Sequence, residues 1–356
     1  MTELTTTDLS KSRQSQVIEW LRFILACLVV ILHATGKGDL GSDAYSVTRV
    51  ILGKGICRIA VPTFFLISGY LFFNHLTEWD LTVWQDKIKR RCRSLLLPYL
   101  LWNAIAFFAF FFYALVRAKI NGEIPVSLPD YFHQQKGWWM FWDNSNGSPI
   151  DYPLWFIRDL FLFDLATPII YLLIKNLRFI GILSIYIVHI FSGVIPEGLC
   201  YFALGAFLQV EGKELTDTAQ EFRIPAFLIT ITLLPILGYT HYHHTEAFSY
   251  IQKLFILAGT FSILIIADDL LRKGWTRVST FLAKSSFFVF AMHGILVLDD
   301  ISWFIATRLF PGMSFLSSLG DLLFRTTFTI VVCLGMYYLL RRVAPTLASI
   351  LTGARS

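Results

Sequence analysis

The chain has 356 residues, of which 55% are hydrophobic and only 15% charged, with a net charge of +5 and a mean hydropathy of +0.60. A soluble domain carries about 25% charged residues, so this composition excludes a water-soluble globular protein and leaves a polytopic membrane protein. Its 33 Phe and 10 Trp exclude disorder, and 5 scattered Cys without a CxxC pair exclude a disulfide or zinc framework.

Crossing a bilayer takes roughly 20 mainly apolar residues per helix. Ten runs meet or approach that need, over 17–35, 50–73, 94–116, 153–174, 179–194, 198–210, 224–240, 247–267, 282–298 and 320–340. The fifth and sixth are short, and they read either as two tilted spans or as a re-entrant pair. The expected fold is an all-α helical bundle of about ten transmembrane helices. Basic residues in the connecting segments favour one side by about three to one, which places both termini in the cytoplasm. That bias accounts for the positive charge without a nucleic-acid partner. The expected organisation is a cytoplasmic tail over 1–16, one membrane domain over 17–340 and a second tail over 341–356. The longest outer segment, 117–152, holds Trp138, Trp139, Trp142 and Tyr152 and reads as an aromatic stretch at the membrane surface.

Ionisable residues inside spans are costly unless they meet a partner or a wet cavity, so each is a functional candidate. The first run carries Glu19, Arg22 and His33. Glu19 and Arg22 are three apart and can pair. Arg22 and His33 are eleven apart, which puts them on one helix face about 16 Å apart along the axis. Such a stripe suits a groove, with Arg22 gripping phosphate and His33 accepting a proton. The plainer reading has Glu19 and Arg22 snorkelling and His33 marking the interface. In the second run, Arg58 precedes Pro62, and Ser68-Gly69 reads most simply as close helix packing. The cluster Lys87, Lys89, Arg90, Arg91 and Arg93 reads as a phosphate trap or as a positive-inside anchor on anionic lipid. In the fourth run, Arg158 has Glu19, Asp164 and Asp321 as candidate ion-pair partners. His293 falls in mid-span, where a satisfied packing histidine is the commoner case. Asp321 and Arg325 are four apart and can neutralise each other. His241, His243 and His244 cluster in a short outer loop, at a spacing that matches no specific metal site.

Five stretches, in order along nearly the whole chain, resemble the acyltransferase type 3 family of integral-membrane acyltransferases. Arg22 and His33 match its Arg-x10-His motif, with Glu19 where the family usually has Asp. FFLISGY over 64–70, KRRCRSLLLPY over 89–99, LWFIRDL over 154–160 and FFVFAMHGIL over 287–296 are similar to its later motifs. The run Phe290-Ala291-Met292 departs from the family's Tyr-Leu-Leu type before the late His. No segment resembles the C-terminal hydrolase-like domain of some members, which implies action alone or with a separate partner.

The resemblance implies a multi-pass enzyme of a bacterial inner membrane that moves an acyl group, most often acetyl, from cytoplasmic acyl-CoA to a carbohydrate hydroxyl. Acetyl-CoA or another acyl-CoA is then a co-substrate, and no tightly bound cofactor or metal is expected. The acceptor is a cell-surface or lipid-linked carbohydrate. Other expected partners are membrane lipids, and a second copy or a polysaccharide-assembly protein is compatible with the reading. His33, with Arg22 and Glu19, is the expected catalytic set. Arg58, Ser68, Arg158, His293, Lys89, Arg90, Arg91 and Arg93 are candidates for substrate binding. Among them, Arg58 or Arg158 would stabilise an oxyanion, Ser68 would bond near the thioester, and the Lys87–Arg93 stretch would hold CoA phosphate. A transporter or flippase for an anionic sugar, and a non-catalytic subunit of a polysaccharide complex, are the alternatives.

Overall fold

The computed structural model describes residues 6–36, 43–74, 80–312 and 314–353. Among them the only β-structure is an isolated bridge between Ser145 and Ser148, and helices make up the rest of the architecture. In chain order these are α1 (Thr6–Gly36), α2 (Asp43–Arg49), α3 (Ala60–Phe73), α4 (Leu81–Arg91), α5 (Leu97–Asn121), α6 (Leu128–Gln134), α7 (Trp155–Leu165) and α8 (Thr167–Ser192). They continue with α9 (Glu197–Val210), α10 (Leu215–Glu221), α11 (Arg223–Tyr242), α12 (Ala247–Arg272), α13 (Thr280–Met292), α14 (Trp303–Leu309), α15 (Phe315–Val343) and α16 (Pro345–Leu351). Wide-turned helix at Val50–Gly55, Cys92–Leu96 and His293–Ser302 joins several of them into longer rods.

Eight of these continuous stretches are long and apolar enough to cross a membrane, the longest being Leu81–Asn121 and Thr280–Leu309. Exposed Phe, Leu and Ile on α5, α8, α11 and α15 cover the flanks, as a bilayer-facing bundle requires. The chain is thus an integral membrane helical bundle. The run expected over 153–174 is split at Ala166 between α7 and α8. The run after it is the second arm of α8, bent where Arg178 leaves helical geometry (φ 46°, ψ −133°). The sixth run is α9, a shorter apolar helix of 14 residues. Helix α1 begins at Thr6, so part of the expected N-terminal tail is helical, and α16 lies within the expected C-terminal one. Lys37, one of the few basic residues that the charge bias expects on the outer side, lies outside the described residues.

The tightest helix pair is α3 with α9. A Cβ placed on Gly69 would overlap the carbonyl oxygen of Phe202, and one on Gly205 would overlap that of Leu66. The two backbones therefore touch reciprocally, as small residues allow in membranes. Phe65, Phe156, Phe163 and Phe202 pack around this contact with ring centroids 4.6–6.0 Å apart, Phe65 and Phe156 edge to face.

Polar groups collect at two levels of the bundle. Toward the start of α1, fully buried Asp268 pairs with Arg13 and Arg272, each at 2.9 Å, and accepts from Gln220 at 2.7 Å. Buried Asp164 pairs with Arg91 at 3.3 Å. At the His33 level, Arg325 is fully buried, pairs with Asp321 at 2.9 Å and donates to the Ala34 carbonyl at 2.6 Å. The pairing of Asp321 with Arg325 follows the i, i+4 expectation.

Arg158 takes none of the three candidate partners. It pairs with its neighbour Asp159 at 2.8 Å, donates to the carbonyls of Trp142 and Gly147, and stacks on the Trp142 ring. The segment before α7 is thereby folded back onto α5. There Tyr99 donates to the Phe141 carbonyl, and the Asp151 N–H donates to Asn103 Oδ1 at 3.1 Å. Trp138 and Trp139 stay exposed, as an interfacial aromatic stretch should. Tyr152 instead turns into the bundle.

Candidate active site

Tyr152 ends beside His33. The two rings meet edge to face at 4.8 Å, and His293 lies 5.3 Å from His33 and 6.3 Å from Tyr152. Three chain segments far apart in sequence supply these rings. His33 projects from the last turn of α1, and Tyr152 opens the turn before α7. His293 stands where α13 gives way to the wide-turned stretch His293–Ser302. Gly294 is needed at that junction, because a Cβ there would press to 2.9 Å of Pro153 and 3.1 Å of Tyr152. Within the stretch, Ile295 (φ −89°, ψ 91°) and Leu296 (φ 61°, ψ −22°) leave the helix. Asp299 beyond them hydrogen-bonds Tyr152.

His293 is fully buried, and its Nδ1 lies 2.7 Å from the Phe290 carbonyl. A carbonyl can only accept, so Nδ1 carries the proton and Nε2 keeps its lone pair. That Nε2 has no hydrogen-bond partner among the described residues. Burial, with Asp299 and Asp151 close by, raises the Tyr152 hydroxyl well above the ordinary tyrosine range, so it stays protonated.

The site opens into a cavity of about 1260 Å³. His33, Tyr152 and Asp299 line it together with Arg49, Lys54 and Arg58 from the α2–α3 rod, and with Tyr242 and Gln252 from α11 and α12. His241 and His244 line it too, while His243 packs at a tilt on Tyr239 with ring centroids 4.3 Å apart. No group of three metal-ligating side chains forms among the described residues. Arg58 pairs with Glu197 at 3.4 Å.

Arg22 is partly buried one level away, with Glu19 and Arg91 as its charged neighbours. Near it lies a second cavity of about 570 Å³ that Lys87, Arg90, Arg91 and Ser94 line with Phe72. Lys87 donates to the carbonyls of Phe72 and Asn74 at 2.5 and 3.0 Å, and Arg91 stacks on Phe72. Lys89 pairs with Asp86 on the exposed face, and Arg93 is exposed; neither lines the cavity. Ser68 is partly buried beside Gly69 and makes no hydrogen bond among the described residues.

The structure therefore gathers His33 and Arg58 at one cavity, with His293 buried behind His33, and Arg90 and Arg91 at another. Ser68 and Arg158 stand apart from both. Tyr152 and Asp299 were not among the sequence candidates. The Asp299-Asp300 pair closing an apolar run was the signal for one, and the position of Tyr152 just ahead of the LWF motif for the other.

Asp151, next to Tyr152, is 1% exposed, and neither of its carboxylate oxygens has a hydrogen-bond partner among the described residues. Burial raises its carboxyl well above the usual range. A raised folded-state value means that the folded protein holds its proton longer than the unfolded chain does. Stability therefore falls as pH climbs from the ordinary carboxylate range toward the raised value. Asp151→Asn is expected to raise the melting temperature at neutral pH and to flatten that pH dependence, because the amide cannot ionise. A variant whose melting still follows pH as the parent does would rule Asp151 out as the source.

The acyltransferase domain family matches residues 16–341 of this chain. The chain is also similar to the succinoglycan biosynthesis protein ExoH of Rhizobium meliloti (strain 1021). The two are 28% identical over 323 residues, covering 86% of this chain and 82% of the relative. No solved structure matches it. With the family match spanning nearly all of a membrane-embedded bundle that sets the motif pair Arg22 and His33 on one helix, the chain belongs to the acyltransferase family.

Proposed function

We propose that the protein transfers an acyl group, most simply acetyl, from cytoplasmic acyl-CoA to a hydroxyl of a carbohydrate on the other side of the membrane. The observation that carries this reading is the placement of His33 on the wall of a large cavity, against Tyr152 and His293. The basic-residue asymmetry puts the Arg22 level on the cytoplasmic side. CoA phosphates need cations there, and Arg22 with the cavity lined by Lys87, Arg90 and Arg91 provides them. From that level to His33 is about 16 Å along α1, a reach that suits an extended pantetheine arm. The carbohydrate reading of the acceptor is supported by the succinoglycan relative and by Tyr152, Tyr242 and Phe248 in the lining, flat faces that suit sugar rings.

In the proposed reaction the acceptor oxygen adds to the thioester carbonyl carbon while His33 takes its proton. Collapse of the adduct breaks the C–S bond, and the departing thiolate recovers a proton to give free CoA. Arg58, in the same lining, supplies positive charge for the developing oxyanion. His293, its ring 5.3 Å from that of His33, packs against the imidazole and helps hold it in place. The purified protein in nanodiscs, given acetyl-CoA and surface glycan from the parent cells, should release CoA thiol and add an acyl mass to the glycan. Glycan that binds with no thiol released, or that is carried into the lumen of proteoliposomes made with the same protein, would replace this reading with scaffolding or transport.

A further inference from the structure

The acceptor cavity carries more positive charge than a neutral sugar needs. Arg49, Lys54 and Arg58 line it, with His241 and His244 beside them, and Asp299 is the one carboxylate in the lining among the described residues. Asp299 is already engaged by the Tyr152 hydroxyl, and Arg58 is balanced by Glu197. Arg49 and Lys54 have no carboxylate partner among the described residues. Arg49 is nevertheless held in place. Its Nε donates to the Thr35 carbonyl at 2.8 Å, two residues beyond His33, which leaves the rest of its guanidinium fork to the cavity. Lys54 is exposed, and it sits between two buried glycines on the wide-turned stretch, close to His241.

These cations also stand against the topological bias. In the orientation argued above, basic residues are scarce at this level, yet three converge on one concave surface. A cleft lined by one sign of charge focuses its field on what enters.

We infer that the acceptor taken by this cavity is anionic, bearing a carboxylate or phosphate that Arg49 and Lys54 hold while the reacting hydroxyl lies at His33. The inference rests on the reading of this cavity as the acceptor site. Two sources supply such an anion: an acidic sugar in the glycan, or the pyrophosphate that links a glycan to its lipid carrier.

The test is binding to the full-length protein in detergent, by microscale thermophoresis at low salt, with acyl-CoA turnover measured separately. The probes are cellobiouronic acid, neutral cellobiose and geranyl pyrophosphate. At least one anionic probe should bind about tenfold or more tightly than cellobiose, and the difference should shrink as salt is added. Preference for the uronate assigns the charge to the sugar, and preference for the pyrophosphate assigns it to the lipid carrier. The double variant Arg49→Gln/Lys54→Gln should lose the preference with cellobiose binding unchanged, and Lys54→Arg should keep it. Anionic probes that bind no better than cellobiose, or a preference that survives the double variant, overturn the inference even if CoA is released. An anion preference without CoA release on any acceptor leaves the inference standing and removes the transferase reading instead.

Discussion

His33→Ala is expected to cripple the proposed acyl transfer, with kcat falling on the order of 10²- to 10⁴-fold, the range that general-base assistance supplies. The loss falls on kcat because the imidazole stands where the proposed proton transfer occurs, at the cavity wall between Tyr152 and His293. His33 is only partly buried, so the variant should reach the membrane and melt close to the parent. Arg22→Ala offers the contrast. Its side chain is too far along α1 to touch the reacting carbon, so its loss should appear as a raised KM for acyl-CoA with kcat less affected. Steady-state kinetics on both purified variants separates the two roles. Turnover retained in His33→Ala would take the imidazole out of the mechanism, and a kcat-only defect in Arg22→Ala would remove the phosphate-gripping role.

The second large effect is on folding. Gly69→Ala should cost at least about 3 kcal/mol, the upper end of overpacking, because the added methyl meets a helix carbonyl that no rotamer change can move. Gly205→Ala faces the same obstacle from the other helix, at the carbonyl of Leu66. Both should lower expression of monodisperse protein and its melting temperature. Gly335→Ala on α15 is the control, since nothing lies within 4 Å of its Cβ position. There the gain in helix propensity, up to about 1 kcal/mol, should leave stability equal or slightly higher. A Gly69→Ala protein that melts with the parent would mean that α3 and α9 are not in backbone contact. The same contact gives the SGY motif a physical reason on its glycine, whatever Ser68 contributes.

Much of this architecture was legible in the sequence because its causes are local. A run of apolar residues long enough for a bilayer can only be a helix there, since every backbone polar group must be satisfied within the segment. Helical periodicity put Arg22 and His33 on one stripe, and i, i+4 spacing gave the Asp321–Arg325 pair. Partners drawn from different helices were not legible. Asp164 had Arg158 as a plausible mate within its own run, yet the structure gives it Arg91 and turns Arg158 to the loop around Trp142. Which charges meet depends on how rods pack, and single-chain spacing holds no information on that.

The amino-acid order by itself determined that the protein lives in the bilayer, that it is built of helices, and that a guanidinium and an imidazole share one of them. These follow from hydrophobic run length, the scarcity of charge and the pitch of a helix. Only the tertiary structure decided that His33 has Tyr152 and His293 for neighbours, that a loop folds inward to bring one of them, and that Arg49 and Lys54 look into the same space. The ring contacts among His33, Tyr152 and His293 join residues more than a hundred positions apart. Close packing of α3 on α9 and the irregular turn after His293 help set where these elements lie, and both are properties of the assembled bundle rather than of any one segment.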